Sequence, residues 1–133
     1  MDLDIQRRAR RIAFSRKHHH LTLDSLSAVI LGLESLDLPV VLDYDHSLGL
    51  GAVSSYAEYP NDLALAPVGV ITTAQRLLVV INCHRGHAIS SSLWDRVGGD
   101  TPLWIADPGC CGPALVGASV DSGVLVLRTR YIS

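Results

Sequence analysis

The stretch "LTLDSLSAVILGLESLDLPVVLD", residues 21–43, contains the change of period on which the fold reading rests. In its first part Leu26, Val29, Ile30 and Leu33 recur at i, i+3, i+4 and i+7, the spacing of one helical face. Asp24 is a candidate N-cap and Pro39 forbids continuation, so the pattern predicts a helix over residues 25–36. From Leu38 the signal turns to strands. "PVVLD", "AVSSYAEY", "LALAPVGVI", "LLVVIN", "LWIA", "ALVGASV" and "VLVLRTRYI" are short, β-branched or alternating, and bounded by Gly, Pro, Asn and Asp. Such a chain is expected to be mainly β (α+β): a small closed β-barrel of about seven strands with one or two helices. A βαβ array needs helical patterns between its strands, and these segments offer none. Asn82 and Arg85 then read as a strand end and the turn after it.

A chain of 133 residues, 48% of them apolar, is expected to fold as one domain over residues 21–133, behind a basic arm or helix at 1–20. The net charge of −2 conceals a strong asymmetry. Residues 1–17 carry Arg7, Arg8, Arg10, Arg11, Arg16 and Lys17 against two acids, a net of +4, and the remainder carries a net of −6. His18, His19 and His20 follow directly. Weak contact with a polyanion is the partner class this arm suggests. No apolar run reaches a membrane span and no signal core follows the basic start, so an intracellular, membrane-free protein is expected. Three cysteines, two of them adjacent, make a poor disulfide framework and fit a reducing compartment.

Two groups of residues could hold chemistry. The first joins the strand end Asp43-Tyr44-Asp45-His46 to "HAISSSLWDR", residues 87–96. A serine becomes a nucleophile when a base takes its proton and a third group orients that base. Ser90, Ser91 and Ser92 are the available nucleophiles, His46, His84 and His87 the bases, and Asp43, Asp45, Asp95 and Asp107 the orienting acids. The second group is Cys83, His84 and His87 with Cys110 and Cys111, whose ligand types suit zinc although Cys-His-x-x-His is not a standard zinc spacing. Cysteines as small buried apolar residues are the simpler reading, and no metal or other cofactor is expected.

The order of parts resembles the herpesvirus maturation proteases (assemblins) and the related phage prohead proteases. Leu21-Thr22-Leu23-Asp24 is similar to the family's lead-in to a short helix. Leu38-Pro39 opens the following strand, and Gly51-Ala52-Val53 matches a Gly-x-Val strand. Ser92-Leu93-Trp94-Asp95-Arg96 resembles the Ser-Leu-x-x-Arg stretch that carries the nucleophile after an apolar strand, here "LLVVIN". Thr101-Pro102-Leu103-Trp104 and then Gly112 stand where the family has a Thr-Pro strand and an oxyanion turn.

The resemblance implies a serine endopeptidase of the capsid-maturation type. Ser92 would be the nucleophile, His46 the base, Asp107 the third member and Gly112 part of the oxyanion turn, with Ser90 and Ser91 as reserve nucleophiles. Its partner would be a polypeptide substrate or scaffold protein, its place a virion or procapsid in the host cell, and homo-oligomers would be compatible with it. The chain also departs from the family. Counted from Pro39 the catalytic histidine position falls on Tyr44, the third position falls on Ile105, and "GPALVG" replaces a two-arginine turn. These departures support an alternative, a non-catalytic structural or scaffold-binding protein on the same fold, with a zinc-stabilised binding module third.

Overall fold

The structure, a computed structural model, describes residues 19–43, 50–53, 63–67, 73–86, 88–89, 92–105 and 113–131, with positions 6, 9, 10, 13, 16 and 17. Of residues 50–53, 63–67, 88–89 and 92–95 it describes the backbone alone. The backbone at Gln6, Ala9, Arg10, Ala13, Arg16 and Lys17 is helical. Two further helices follow, α1 at Leu23–Leu31 and α2 at Ala74–Cys83.

Thr22 caps α1, in place of Asp24. Its Oγ1 accepts from the Ser25 N–H at 3.2 Å, and Ser25 Oγ accepts from the Thr22 N–H at 2.7 Å. This reciprocal pair satisfies two N-terminal donors at once. Asp24 falls instead in the first turn, where its charge suits the positive end of the helix dipole. The helix stops short of the expected residue 36 because Gly32, a poor helix former, follows Leu31 as its C-cap. The expected stripe is nonetheless the buried one: Leu26 and Ile30 are fully enclosed, and Val29 and Leu33 pack against them.

The expected strand "LLVVIN" is helical, forming residues 77–82 of α2. A short apolar run reads alike in a strand and in a buried helix. Here the deciding residues lie just before it. Thr73 accepts from the Arg76 N–H at 3.2 Å, and Ala74, Leu77 and Ile81 form a buried i, i+3, i+7 stripe. The exposed donors of this helix start are also met from outside. Ala74 N donates to Leu38 O at 2.8 Å, and Gln75 N to Leu36 O at 2.9 Å.

Eight strands lie among the described residues: β1 Val40–Leu42, β2 Leu50–Val53, β3 Leu63–Pro67, β4 Ala88–Ile89, β5 Ser92–Arg96, β6 Leu103–Ile105, β7 Ala114–Asp121 and β8 Val124–Arg130. Six form one sheet in the order β1-β8-β7-β6-β3-β2, and β4 pairs with β5 alone. The β1–β8 and β3–β6 pairs are parallel, the others antiparallel. A parallel pair requires a crossover, which α2 and the β4–β5 hairpin supply between β3 and β6. That crossover is the helical segment between strands that the sequence reading missed.

The sheet curls into a half-barrel and does not close into the expected seven-strand barrel. One face shows why. Val40 and Leu42, Leu103 and Ile105, Leu115, and Leu125 and Leu127 alternate toward one core shared with Leu23, Leu26 and Ile30 of α1 and Ala74, Leu77 and Ile81 of α2. The two helices thus cover the face that a closed barrel would cover with its own opposite wall. Val41, Trp104, Ala114 and Val126 point the other way and are buried too. His20 meets Trp104 edge-on there, with ring centroids 4.5 Å apart.

Two local devices keep this pattern in register. A bulge between Leu115 and Gly117 adds one residue opposite β8, so that Leu115 and Ala118 both face the core although three positions apart. At the other end of β7, Ser122 and Gly123 have φ values of 51° and 79°, the paired left-handed geometry of a two-residue type I′ hairpin turn. The β6–β7 pairing itself is brief, with one matched pair at Trp104 and Ala114. Leu21 occupies the fork beyond it: its N–H donates to Leu115 O at 2.7 Å, and its carbonyl accepts from Leu103 N at 3.0 Å.

The helical state of residues 77–82 is open to a simple check. In a strand Leu77, Val79 and Ile81 would share one face; in α2 Leu77 and Ile81 are fully buried while Val79 is 57% exposed. We expect Ile81→Ala to cost about 2–4 kcal/mol in urea unfolding and Val79→Ala less than about 0.5 kcal/mol. Equal losses at the two positions would contradict the helix.

Candidate functional site

The helices that cover the core also meet each other, and a groove of about 510 Å³ runs along their outer seam. On α1 it is lined by Asp24, Ser27, Ala28 and Leu31, a stripe at i, i+3, i+4 and i+7 beside the core stripe. Leu78, Val79, Asn82 and Arg85 line the other bank. One end is polar and held by four linked side chains. Asn82 Nδ2 donates to Ser27 Oγ at 3.2 Å and to Leu78 O at 2.9 Å. Its Oδ1 accepts from Arg85 Nε at 2.6 Å, and Arg85 Nη2 donates to Asp24 Oδ1 at 2.5 Å. The other end is apolar, with Leu31 68% and Val79 57% exposed.

Glycines back the polar end. The Asp24 N–H donates to Gly99 O at 3.0 Å, and a Cβ at Gly99 would overlap the Asp24 carboxylate. Gly86, just past α2, has φ of 80°, which favours glycine, and its N–H donates to Val97 O at 2.8 Å. Arg96 Nη1 returns a bond to Gly86 O at 2.8 Å. Asn82 therefore lies in a helix and not at a strand end, Arg85 sits in the turn that follows as expected, and together they cross-link the end of α2 to α1. Once residues 77–82 are taken as a strand, the facing i+3 spacings of Asp24/Ser27 and Asn82/Arg85 lose their meaning.

Of the cluster at 43–46, Asp43 is described, and its carboxylate is committed elsewhere. Oδ2 accepts from the Thr129 N–H at 2.9 Å and Oδ1 from Thr129 Oγ1 at 2.6 Å, while the Asp43 N–H continues the parallel ladder to Leu127 O at 2.9 Å. Asp43 is a clasp between β1 and β8. Tyr44, Asp45 and His46 lie outside the described residues, as do His87, Ser90, Ser91, Asp107 and Gly112.

Ser92 opens β5, matched to Ile89 across the β4–β5 turn. The element ahead of that hairpin is a helix, not the apolar strand expected there. Ile105, at the counted third position, is fully buried in the core. In the zinc set, Cys83 is an exposed free thiol whose Sγ donates to Val80 O at 3.0 Å, and His84 is the C-cap of α2. Cys110 and Cys111 lie outside the described residues, among which no group of three or more potential metal ligands gathers. No helix among the described residues is long and apolar enough to cross a membrane. No family model, curated protein or solved structure matches the chain.

Two substitutions test these contacts. Asp43→Ala removes both bonds to Thr129 at an exposed site, and we expect a loss of about 1 kcal/mol in thermal or urea unfolding. Gly99→Ala should push the Asp24 carboxylate away from Arg85. That pair is 65% exposed on the Asp24 side, so the loss should stay below about 1 kcal/mol. In the Asp24→Ala background Gly99→Ala should cost less still, so the two losses should not add.

Proposed function

We propose that this chain is a non-catalytic polypeptide-binding protein, structural or scaffold-binding in role, that seats an amphipathic helix of its partner between α1 and α2. The observation that carries this reading is the pairing of two exposed apolar side chains, Leu31 and Val79, across a groove whose far end is pinned by the Ser27–Asn82–Arg85–Asp24 network. Two packed helices present ridges between which a third can lie, and a helix-in-groove ligand is recognised by apolar anchors at i, i+3/i+4 and i+7. Ala28, small and exposed, allows close approach between the two banks. Arg85 and Asp24, both partly open to solvent, provide a polar end that fixes the ligand's direction.

Selection from a displayed library of helix-forming peptides tests this. Binders should carry the i, i+3/i+4, i+7 apolar spacing and weaken by about tenfold or more on Leu31→Glu or Val79→Glu, with the melting temperature unchanged. Peptides that bind both variants as well as the parent chain, or a selection that yields none, would overturn the proposal.

A second reading, a serine endopeptidase acting on a capsid scaffold, has one observation in its favour. Ser92 and Arg96 are the two ends of a single strand, and Arg96 is anchored to Gly86 O. In this reading Ser92 attacks the peptide carbonyl, His46 takes its proton and later returns it to the leaving amine, Asp107 orients His46, and Gly112 serves the oxyanion. A fluorophosphonate probe separates the readings. Labelling lost on Ser92→Ala would establish the enzyme, labelling that persists would move the nucleophile to Ser90 or Ser91, and no labelling of the parent chain would dismiss it.

A further inference from the structure

We infer that the groove between α1 and α2 receives residues 5–16 of a second copy of this chain, so that two copies exchange their N-terminal segments. The inference rests on the helix-in-groove reading proposed above and names the helix. Helical backbone is described at Gln6, Ala9, Arg10, Ala13, Arg16 and Lys17. Across all of residues 5–17, helical spacing sets Ile5, Ala9 and Ile12 at i, i+4 and i+7, the anchor pattern that the groove calls for. At about 100° per residue these three fall within roughly 60° of one another. Arg8 borders the stripe, Arg16 continues it, and Phe14 falls on the opposite side.

Charge favours the same pairing. Residues 5–17 carry six cations and no acid, whereas residues 18–75 carry seven acids and no lysine or arginine. Helix α1 lies wholly within that acidic stretch. Asp24, at one end of its groove bank, is 65% exposed, and Glu34 and Asp37, just past Leu31 at the other end, are exposed too. Asp24 and Leu31 stand about 10 Å apart along α1, and Arg8 and Arg16 about 12 Å apart along their own helix. Cations at both ends of the stripe thus meet acids at both ends of the bank. Arg85 offsets part of the Asp24 charge, which leaves the greater share of the attraction to Glu34 and Asp37.

The helix comes from another copy and not from the same chain. Leu31 and Val79 are open at the groove, and Ala9 and Arg16 of the docking stripe are exposed as well, so neither surface is covered within one chain. An exchange between two copies covers both. Each copy gives one segment and receives one, and the arrangement closes with two-fold symmetry.

Sedimentation velocity of the full chain over a concentration series tests the inference. A dimer should grow in with concentration and retreat as salt rises. An arm variant, Ile5→Glu with Ile12→Glu, and a groove variant, Leu31→Glu with Val79→Glu, should each raise the dissociation constant about tenfold or more. At concentrations where the parent is monomeric, their far-UV circular dichroism and melting temperature should match the parent's. Mixed together, with a fluorophore on one of them, the two variants should form a heterodimer through the one arm and one groove left intact. A dimer indifferent to either pair of substitutions, or a mixture that forms no heterodimer, would overturn the inference. A parent chain that stays monomeric while selected helical peptides still bind at Leu31 and Val79 would overturn it and leave the groove's proposed function standing. A monomeric parent that binds no such peptide would overturn both. An arm that binds a DNA duplex or phosphatidylserine-rich vesicles, with no dimer formed, would also overturn it.

Discussion

The structure depends on the requirement that one apolar face of an open, curled sheet be sealed by something other than the sheet itself. Alternation in β1, β6 and β8 sends Val40 and Leu42, Leu103 and Ile105, and Leu125 and Leu127 to that face, and α1 and α2 are the seal. Each helix is short, and helices of this length are marginal alone, so they persist because they are packed. Their placement brings their outer stripes side by side. The groove is thus a by-product of covering the sheet, and its polar end is the means by which two helices on a common support are also joined to each other.

The legible part of this fold was the part whose period was unambiguous. The stripe Leu26, Val29, Ile30, Leu33 has no strand reading, and β7 and β8 are long enough for alternation to show. Residues 77–82 were not legible, because the five contiguous apolar positions Leu77 to Ile81 satisfy either period; the information lay in Thr73, Gln75 and Arg76 ahead of them. One misread segment removed the crossover, and with it the reason to expect parallel pairs or an open sheet. The cap at Thr22 was hidden differently: Asp24 is as good a capping residue, and the reciprocal bonds with Ser25 decide between them only in three dimensions.

The candidate chemistry at the end of β1 illustrates how a polar cluster divides its duties. An aspartate after a buried strand can orient a base or close a ladder, and its residue type does not distinguish the two. In Asp43 both carboxylate oxygens go to Thr129, so it joins neighbouring strands and is spent as an orienting group. Serine, histidine and aspartate are common enough that their order along a chain defines a family only when their separations hold as well. Here the counted separations lead to Tyr44 and to Ile105, the second of which is sealed in the core.

The parallel pairing of β1 with β8 sets an order of events for the growing chain. Val40 finds its partner in Leu125, so β1 emerges from the ribosome with both faces apolar and without its parallel partner until the chain has been made as far as β8. A contact of such separation is slow to close, because its loop entropy is lost before the ladder compensates for it. During that interval the bare β1 edge is open to pairing with another copy. Slower synthesis, or a truncation that removes β8, would therefore favour association between chains over completion of the sheet within one.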